Sequence, residues 1–445
     1  MDFIPHTPED TRAMLDAIGL PDMAALFEAI PEHLRVHGAL DVPPSLSEPE
    51  LIAHMSELAA RCGGDDLVCF AGGGAYDHHV PSAVRALAGR AEFATSYTPY
   101  QPELSQGVLQ ALFEFQSMVC ALFGMEVANA SLYDGANALV EGVNLAVRAT
   151  KRTKVLVGAT VHPHYRDVLQ TYTSGLGLDI QTIPFDATGR VDWGSVDVED
   201  AACVVPAYPN FFGLLEDIST AAERAHDARA LCVVVADPTA LGILEAPGAQ
   251  GADVVVGEGH ALGNPLSYGG PYVGLFATTL PLVRQVPGRI AGETLDADGR
   301  RAYVLTLQAR EQHIRRAKAA SNVCTNQTLM AIAATVHLAW LGPEGLARLG
   351  EICIRRTAYA AARLSEIQGC SLRFDGPRFK ELVLETPMPA KDLAKRLVKQ
   401  GWLAGPDLGR FYPELDRCLL IAVTEKRTEA DIDGLAEAIE KELVA

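Results

Sequence analysis

Residues 231–278 read LCVVVADPTALGILEAPGAQGADVVVGEGHALGNPLSYGGPYVGLFAT. Residues 231–236 are rich in β-branched side chains and stop at Asp237, and a second apolar run, 254–256, ends at Gly257. Short apolar runs bounded by turn residues predict central parallel strands covered on both faces. Ligands of open α/β sheets bind outside the carboxyl ends of such strands. Asp237 and the turn 257–263, Gly-Glu-Gly-His-Ala-Leu-Gly, therefore lie where chemistry is usually done.

Outward from there, strands and helices alternate from Lys154 onward: VLVGA, a helix over 165–172, IQTIPF, CVVPAY, a helix over 220–226, then LCVVVA. That alternation predicts a mostly parallel sheet with helices on both sides. An acid closing one strand and a turn closing the next resemble the large domain of fold-type-I pyridoxal phosphate (PLP) enzymes. In that fold the acid keeps the pyridinium nitrogen protonated, and a lysine on the later turn forms the Schiff base. No lysine occurs here between Lys154 and Lys318, and the turn offers His260, whose imidazole cannot form an imine. Either a partner supplies the lysine or the site has been retired.

With 445 residues, 49% hydrophobic and 21% charged, the chain has enough apolar material for two domains with large cores. A formal charge of −19 argues against nucleic acid or an anionic membrane as ligand and points to small molecules or proteins. Nine cysteines without a CxxC pair suggest neither a zinc site nor a disulfide framework, and a reducing cytoplasm fits them. The start, MDFIPHTPEDTR, lacks the features of an export or transit signal. The longest apolar run, 330–342, has the length of a core helix and is too short to span a bilayer. The twelve histidines contain no HExxH, and His78/His79 and His162/His164 are too closely spaced for one helical face, so no metal site is expected.

Three segments are expected along the chain. Residues 1–63 form a helical N-terminal arm whose helix starts are marked by Thr7, Pro8 and Asp10, and again by Ser47 and Glu50. Residues 64–328 form a large PLP-transferase-like domain that lacks its own Schiff-base lysine. Residues 329–445 supply a core helix and a small α/β domain, with strands at 371–374, 381–384 and 418–423 and helices at 390–399 and 429–443. Within the large domain, a long helix is expected from about residue 103 to Gly124, and REQHIRRAK (310–318) reads as a surface or interface helix. The turn from Ser131 to Ala136 opens another helix and could present free N–H groups to a phosphate, although Asp134 would repel one placed close by. Loop 93–107, FATSYTPYQPELSQG, gathers two tyrosines among hydroxyl, amide and acid groups, and loops with convergent polar groups are where sites are usually built.

Five stretches taken together carry a resemblance: GGGAYDHHVP (72–81), TSYTPYQPELSQGVLQALFEFQ (95–116), ANASLYDGANALVEG (128–142), LTLQAREQHIRRAKAASNVCTNQ (305–327) and LGPEGL (341–346). They resemble subunit 1, the α chain, of the two-subunit glycine dehydrogenase (decarboxylating), the P-protein of the glycine cleavage system. The resemblance covers nearly the whole chain. It implies a glycine decarboxylase, active only with a β subunit of related fold that carries the lysine and binds most of the PLP. Glycine would lose its carboxylate as CO2, and the aminomethyl group would pass to the lipoyl arm of the H-protein.

By the same resemblance this chain holds no catalytic lysine, and Asp237 with His260 marks a vestigial site. Paired fold-type-I subunits reach into each other's pockets. Mapped here, Tyr97, Thr98, Tyr100, Gln101, Glu103, Thr294, Asn322, Thr325 and Asn326 would bind cofactor or substrate in a shared pocket. Other classes compete: an autonomous enzyme, either a PLP enzyme with an out-of-place lysine or a hydrolase using Asp237 and His260, and a non-catalytic scaffold or regulatory subunit. The lysine gap opposes the first, and the lack of a GxSxG elbow opposes the second.

Overall fold

The computed structural model describes residues 5–64 and 66–444. The chain divides into two units, Met1–Asp65 and Asp66–Ala445. In the first, helix Pro8–Ile18 starts on a capping box: the Thr7 N–H donates to Asp10 Oδ2 at 2.9 Å, and the Asp10 N–H donates to Thr7 Oγ1 at 3.2 Å. Ser47 and Glu50 start helix Glu48–Ala60 in the same way. Both devices satisfy N–H groups that a helix start leaves free.

The second unit is built on an eight-stranded sheet. In spatial order its main path runs Val127–Ala128, Gly274–Thr278, Val254–Glu258, Leu231–Ala236, Ala201–Val205, Lys154–Gly158 and Asp179–Ile183, and Ala207–Tyr208 pairs with Leu231–Ala236. The five strands from Val254–Glu258 to Asp179–Ile183 are parallel, and the first two close one edge antiparallel. Successive side chains on a strand point to opposite faces. Accordingly Val233, Val254 and Val256 pack with Ala138, Leu139 and Val143 of helix Gly135–Thr150. Val234 and Val255 pack instead with Leu109, Leu112 and Phe115 of helix Gln106–Phe123. A three-stranded antiparallel sheet, Ser371–Leu372, Glu381–Glu385 and Cys418–Ala422, buries Leu382, Leu384, Leu419 and Ile421 against helices Ala390–Val398 and Glu429–Val444.

Several local expectations need correction. The helix expected from about residue 103 starts at Gln106, because Pro102–Leu104 form a tight 3₁₀ turn. REQHIRRAK is broken into the single turn Gln312–Arg315 between 3₁₀ turns Gln308–Arg310 and Arg316–Lys318, with Leu307 and Arg316 in left-handed backbone that ends any helix. The apolar run 330–342 belongs to a longer helical element, Thr328–Ser365, which kinks at Gly342 and restarts at Pro343, a residue suited to a first helical turn. That element is long and apolar enough to cross a membrane by composition alone, yet Ala331, Ile332, Ala334 and Leu346 on it are buried in the molecule. A hairpin of Ile290–Leu295 and Arg301–Thr306 precedes the charged segment 310–318, and the sequence reading assigned it no strands.

Candidate functional site

Strands Leu231–Ala236 and Val254–Glu258 end side by side, and residues 73–78, 380–381 and 425 meet those ends. Asp237 Oδ2 lies 2.7 Å from Lys380 Nζ, while its Oδ1 accepts from the Thr239 N–H at 2.9 Å and the Thr239 hydroxyl at 2.7 Å. Lys380 is 1% exposed. Its ammonium also donates to Thr239 Oγ1 at 3.1 Å and to His78 Nε2 at 2.9 Å, and sits 3.6 Å from the centroid of the Tyr76 ring.

An ammonium has donors only, so His78 Nε2 must accept and its Nδ1–H donates to Glu425 Oε2, 2.6 Å away. This needs a neutral imidazole, and burial, reinforced by the Lys380 charge, pushes the His78 pKa down. Burial by itself would raise both acids. The Lys380 charge nevertheless holds Asp237 below its ordinary value, and the His78 bond lowers Glu425 to about 2. A carboxyl depressed by folding stabilises the fold above its unfolded pKa and loses that contribution as pH falls through its folded pKa. Stability is therefore expected to fall between about pH 4.5 and 2. In urea unfolding across that window, Glu425→Gln should flatten the acid limb, and an unchanged limb would contradict the pair.

The glycine run 72–74 lets the chain reach this point. A Cβ on Gly72 would stand 2.5 Å from Glu381 Oε1, the atom that accepts the Gly73 N–H at 2.7 Å. Glu381 also accepts from the Tyr76 hydroxyl at 2.9 Å, and burial raises its pKa to about 7.

At the neighbouring strand end, Glu258 Oε2 accepts the N–H of Gly135, the first residue of helix Gly135–Thr150, at 2.9 Å. Its Oε1 accepts from the N–H groups of His260 and Val273 at 2.9 and 3.2 Å. Burial raises Glu258 to about 8 in spite of these bonds. Asp134 caps the same helix through the Asn137 N–H at 2.8 Å. The helix N-terminus that could have held a phosphate is thus taken up by two acids. His260, 1% exposed, accepts the Tyr76 N–H at 3.0 Å and stacks on Tyr272 with ring centroids 4.8 Å apart, and burial drops its pKa to about 3. Asp237 and His260 share no hydrogen bond among the described residues, so they do not form a hydrolytic pair.

The cavity lined by Tyr76, Asp237, Glu258 and His260 is about 70 Å³, and a second one of about 410 Å³, lined by Asp134, Asn137 and Tyr272, shares Gly74, His162, Tyr165 and Glu258 with it. PLP does not fit the residues present. The acid for its pyridinium is paired with Lys380, the helix start for its phosphate is bound to Glu258, and no lysine stands on the turn.

A second polar cluster forms around Arg289, a residue 3% exposed. Its Nη2 donates to the Tyr100 hydroxyl and its Nη1 to Asn326 Oδ1, each at 3.3 Å, and its Cζ lies 5.3 Å from the Tyr100 ring centroid. Asn326 Nδ2 donates in turn to Ala130 O at 2.8 Å and Ser131 Oγ at 3.0 Å. His313 meets Tyr100 edge to face at 5.9 Å.

A sequence profile of the glycine cleavage system P-protein matches residues 1–439. The chain belongs to that family. A protein of Desulforamulus reducens described as probable glycine dehydrogenase (decarboxylating) subunit 1 is 51% identical over 440 residues, 98% of each chain. The crystal structure of glycine decarboxylase (P-protein) of the glycine cleavage system, in inhibitor-bound form, matches with a TM-score of 0.92 and 44% identity over 99% of this chain and 100% of that one. Sphingosine-1-phosphate lyase of Burkholderia pseudomallei, 16% identical with a TM-score of 0.63 over 94% and 93% of the two chains, shares the fold alone. The architecture is that of fold-type-I PLP-dependent enzymes, and the chain is part of a glycine-decarboxylating enzyme.

Within this P-protein chain the nine residues assigned to a shared pocket are dispersed. Tyr97 and Tyr100 are 85% and 48% exposed. Gln101, Glu103, Thr294 and Asn322 are exposed as well, and Thr98, Thr325 and Asn326 half-buried. Only Tyr100 and Asn326 of the nine bind one common side chain among the described residues, that of Arg289. Thr294 stands on the hairpin opposite Ala302. Sequence reasoning missed both Lys380 and Arg289. The signal for Arg289 was a charge entering the apolar start of a strand at 290–291, and Lys380 borders the apolar run 382–384 in the same manner.

Proposed function

We propose that this chain is the α subunit of a two-subunit glycine decarboxylase whose PLP-bearing lysine resides on a β subunit. In this reading glycine and the lipoylated H-protein give CO2 and the aminomethyl-lipoyl carrier in the cytoplasm, and two α and two β chains assemble into the working enzyme. The observation that carries it is the Lys380–Asp237 ion pair, which commits the acid a pyridinium would need. The same pair disfavours an autonomous enzyme using Lys380, since an ammonium bound to a carboxylate at 2.7 Å is not a free amine. The description of relatives as subunit 1 supports a second subunit.

The contribution of this chain is then the loop 97–103, exposed at Tyr97, Tyr100, Gln101 and Glu103, with the segment around Asn326. Pro99 and Pro102 fix φ at two places and stiffen the loop, so its phenols are held at little entropic cost. A Tyr100 hydroxyl that accepts from Arg289 keeps its own proton to donate outward, to the carboxylate of glycine or an oxygen of the cofactor. In the enzyme assembled with its β subunit, Tyr97→Phe and Tyr100→Phe keep the rings and remove only the hydroxyls. Each should lower glycine-dependent CO2 release about tenfold to a hundredfold with assembly intact, as expected for a lost hydrogen bond to a charged group. Unchanged release in both variants would assign the tyrosines to packing and take the loop out of the pocket.

A further inference from the structure

We propose that Arg289 is a positioning residue for the carboxylate of glycine, acting through Tyr100 and Asn326, an inference that rests on the shared-pocket reading. Arg289 is tied into the fold by its backbone, whose carbonyl accepts the Ala130 N–H at 2.8 Å. Its guanidinium is less completely used. Both contacts, at 3.3 Å, lie beyond the usual range for N–H···O bonds, and Nε has no partner among the described residues. No carboxylate stands within salt-bridge distance of it among those residues.

A buried charge is ordinarily paired. Glu311, whose pKa burial raises and the Arg289 charge only partly relieves, is itself buried, and its Oε1 has no partner among the described residues. The cluster is therefore polar, cationic at its centre and incompletely satisfied, and its exposed end is the phenol of Tyr100. A guanidinium behind a phenol makes the O–H a better donor and orients it, while Asn326 holds the second branch of the guanidinium fork in place. An anion presented at Tyr100 would supply the missing counter-charge and shorten both 3.3 Å contacts. In the proposed reaction the anionic end of the substrate is the carboxylate of glycine.

The test uses the enzyme assembled with its β subunit and four variants: Arg289→Met, Arg289→Lys, Tyr100→Phe and the Arg289→Met/Tyr100→Phe double. Arg289→Met should raise the KM for glycine about tenfold to a hundredfold, with a smaller change in kcat and an unaltered elution volume. The double variant should be no worse than its more impaired parent, because both substitutions break one relay. Any inhibition by methylamine, which has no carboxylate, should be equal in Arg289→Met and in the unsubstituted enzyme. Should Arg289→Met fail to assemble, Arg289→Lys carries the test, since it keeps the charge, loses the planar fork and should still raise KM. An unchanged KM in the assembling variant, independent multiplication of the two losses, or equal weakening of glycine and methylamine would each overturn the proposal. A silent Tyr100→Phe would instead overturn the placement of Tyr100 in the shared pocket, whereas an impaired Tyr100→Phe beside a silent Arg289 variant would overturn this inference alone.

Discussion

Lys380→Met is expected to lower the folding stability of the chain by about 3–5 kcal/mol, the size of effect seen when one partner of a buried ion pair is removed. The ammonium has four polar or aromatic neighbours, Asp237, Thr239, His78 and the Tyr76 ring, and is 1% exposed. Removing it strands the Asp237 carboxylate away from water and deprives His78 of its donor. Met matches the length of the lost side chain, so little of the effect comes from an empty volume. Adding Asp237→Asn should recover part of the loss, because the uncompensated charge goes with it. The Lys380 effect should also weaken in acid. Folding holds Asp237 below its ordinary pKa, so the contribution of the pair is present above the unfolded value and fades as pH falls through the folded one. Urea midpoints for the single and double variants at neutral and acid pH check each statement. A loss below about 1 kcal/mol at neutral pH, the size of an exposed ion pair, would contradict the buried pair.

The second large effect is on activity. Alone, this chain should release no CO2 from glycine above background, and mixing with the β subunit should restore release together with a change in assembly size. In the chamber at the strand ends the acid, the helix start and the turn are each occupied by the chain's own groups or lack the required amine. A stable, permanent interface of this kind buries on the order of 2,000 Å² or more. Turnover by a monodisperse monomer would contradict the two-subunit reading.

The large domain's sheet was legible because its strands are β-branched runs closed by turn residues, and 231–236 and 254–256 fall on strands Leu231–Ala236 and Val254–Glu258. Helix starts were legible where a local device marks them, as at Thr7 and Ser47. Elements whose ends are set by backbone conformation were misread. The helix expected in REQHIRRAK ends at Arg315, ahead of the positive φ of Arg316, which no local residue signals. The partners of the two decisive side chains were illegible for a different reason. Lys380 reaches Asp237 across 143 positions of sequence, 380 minus 237, and Arg289 reaches Tyr100 across 189. A lysine count confined to the interval from Lys154 to Lys318 could not find Lys380. The count was right about the turn and silent about the chamber, which a lysine from elsewhere fills.

The most direct measurement is borohydride reduction of the assembled enzyme in the presence of PLP, followed by peptide mapping of both chains. The account predicts the reduced cofactor label on a lysine of the β subunit and none on Lys380 or any other lysine of this chain, whether the chain is assembled or alone. Stoichiometric label on this chain, at Lys380 above all, would contradict it.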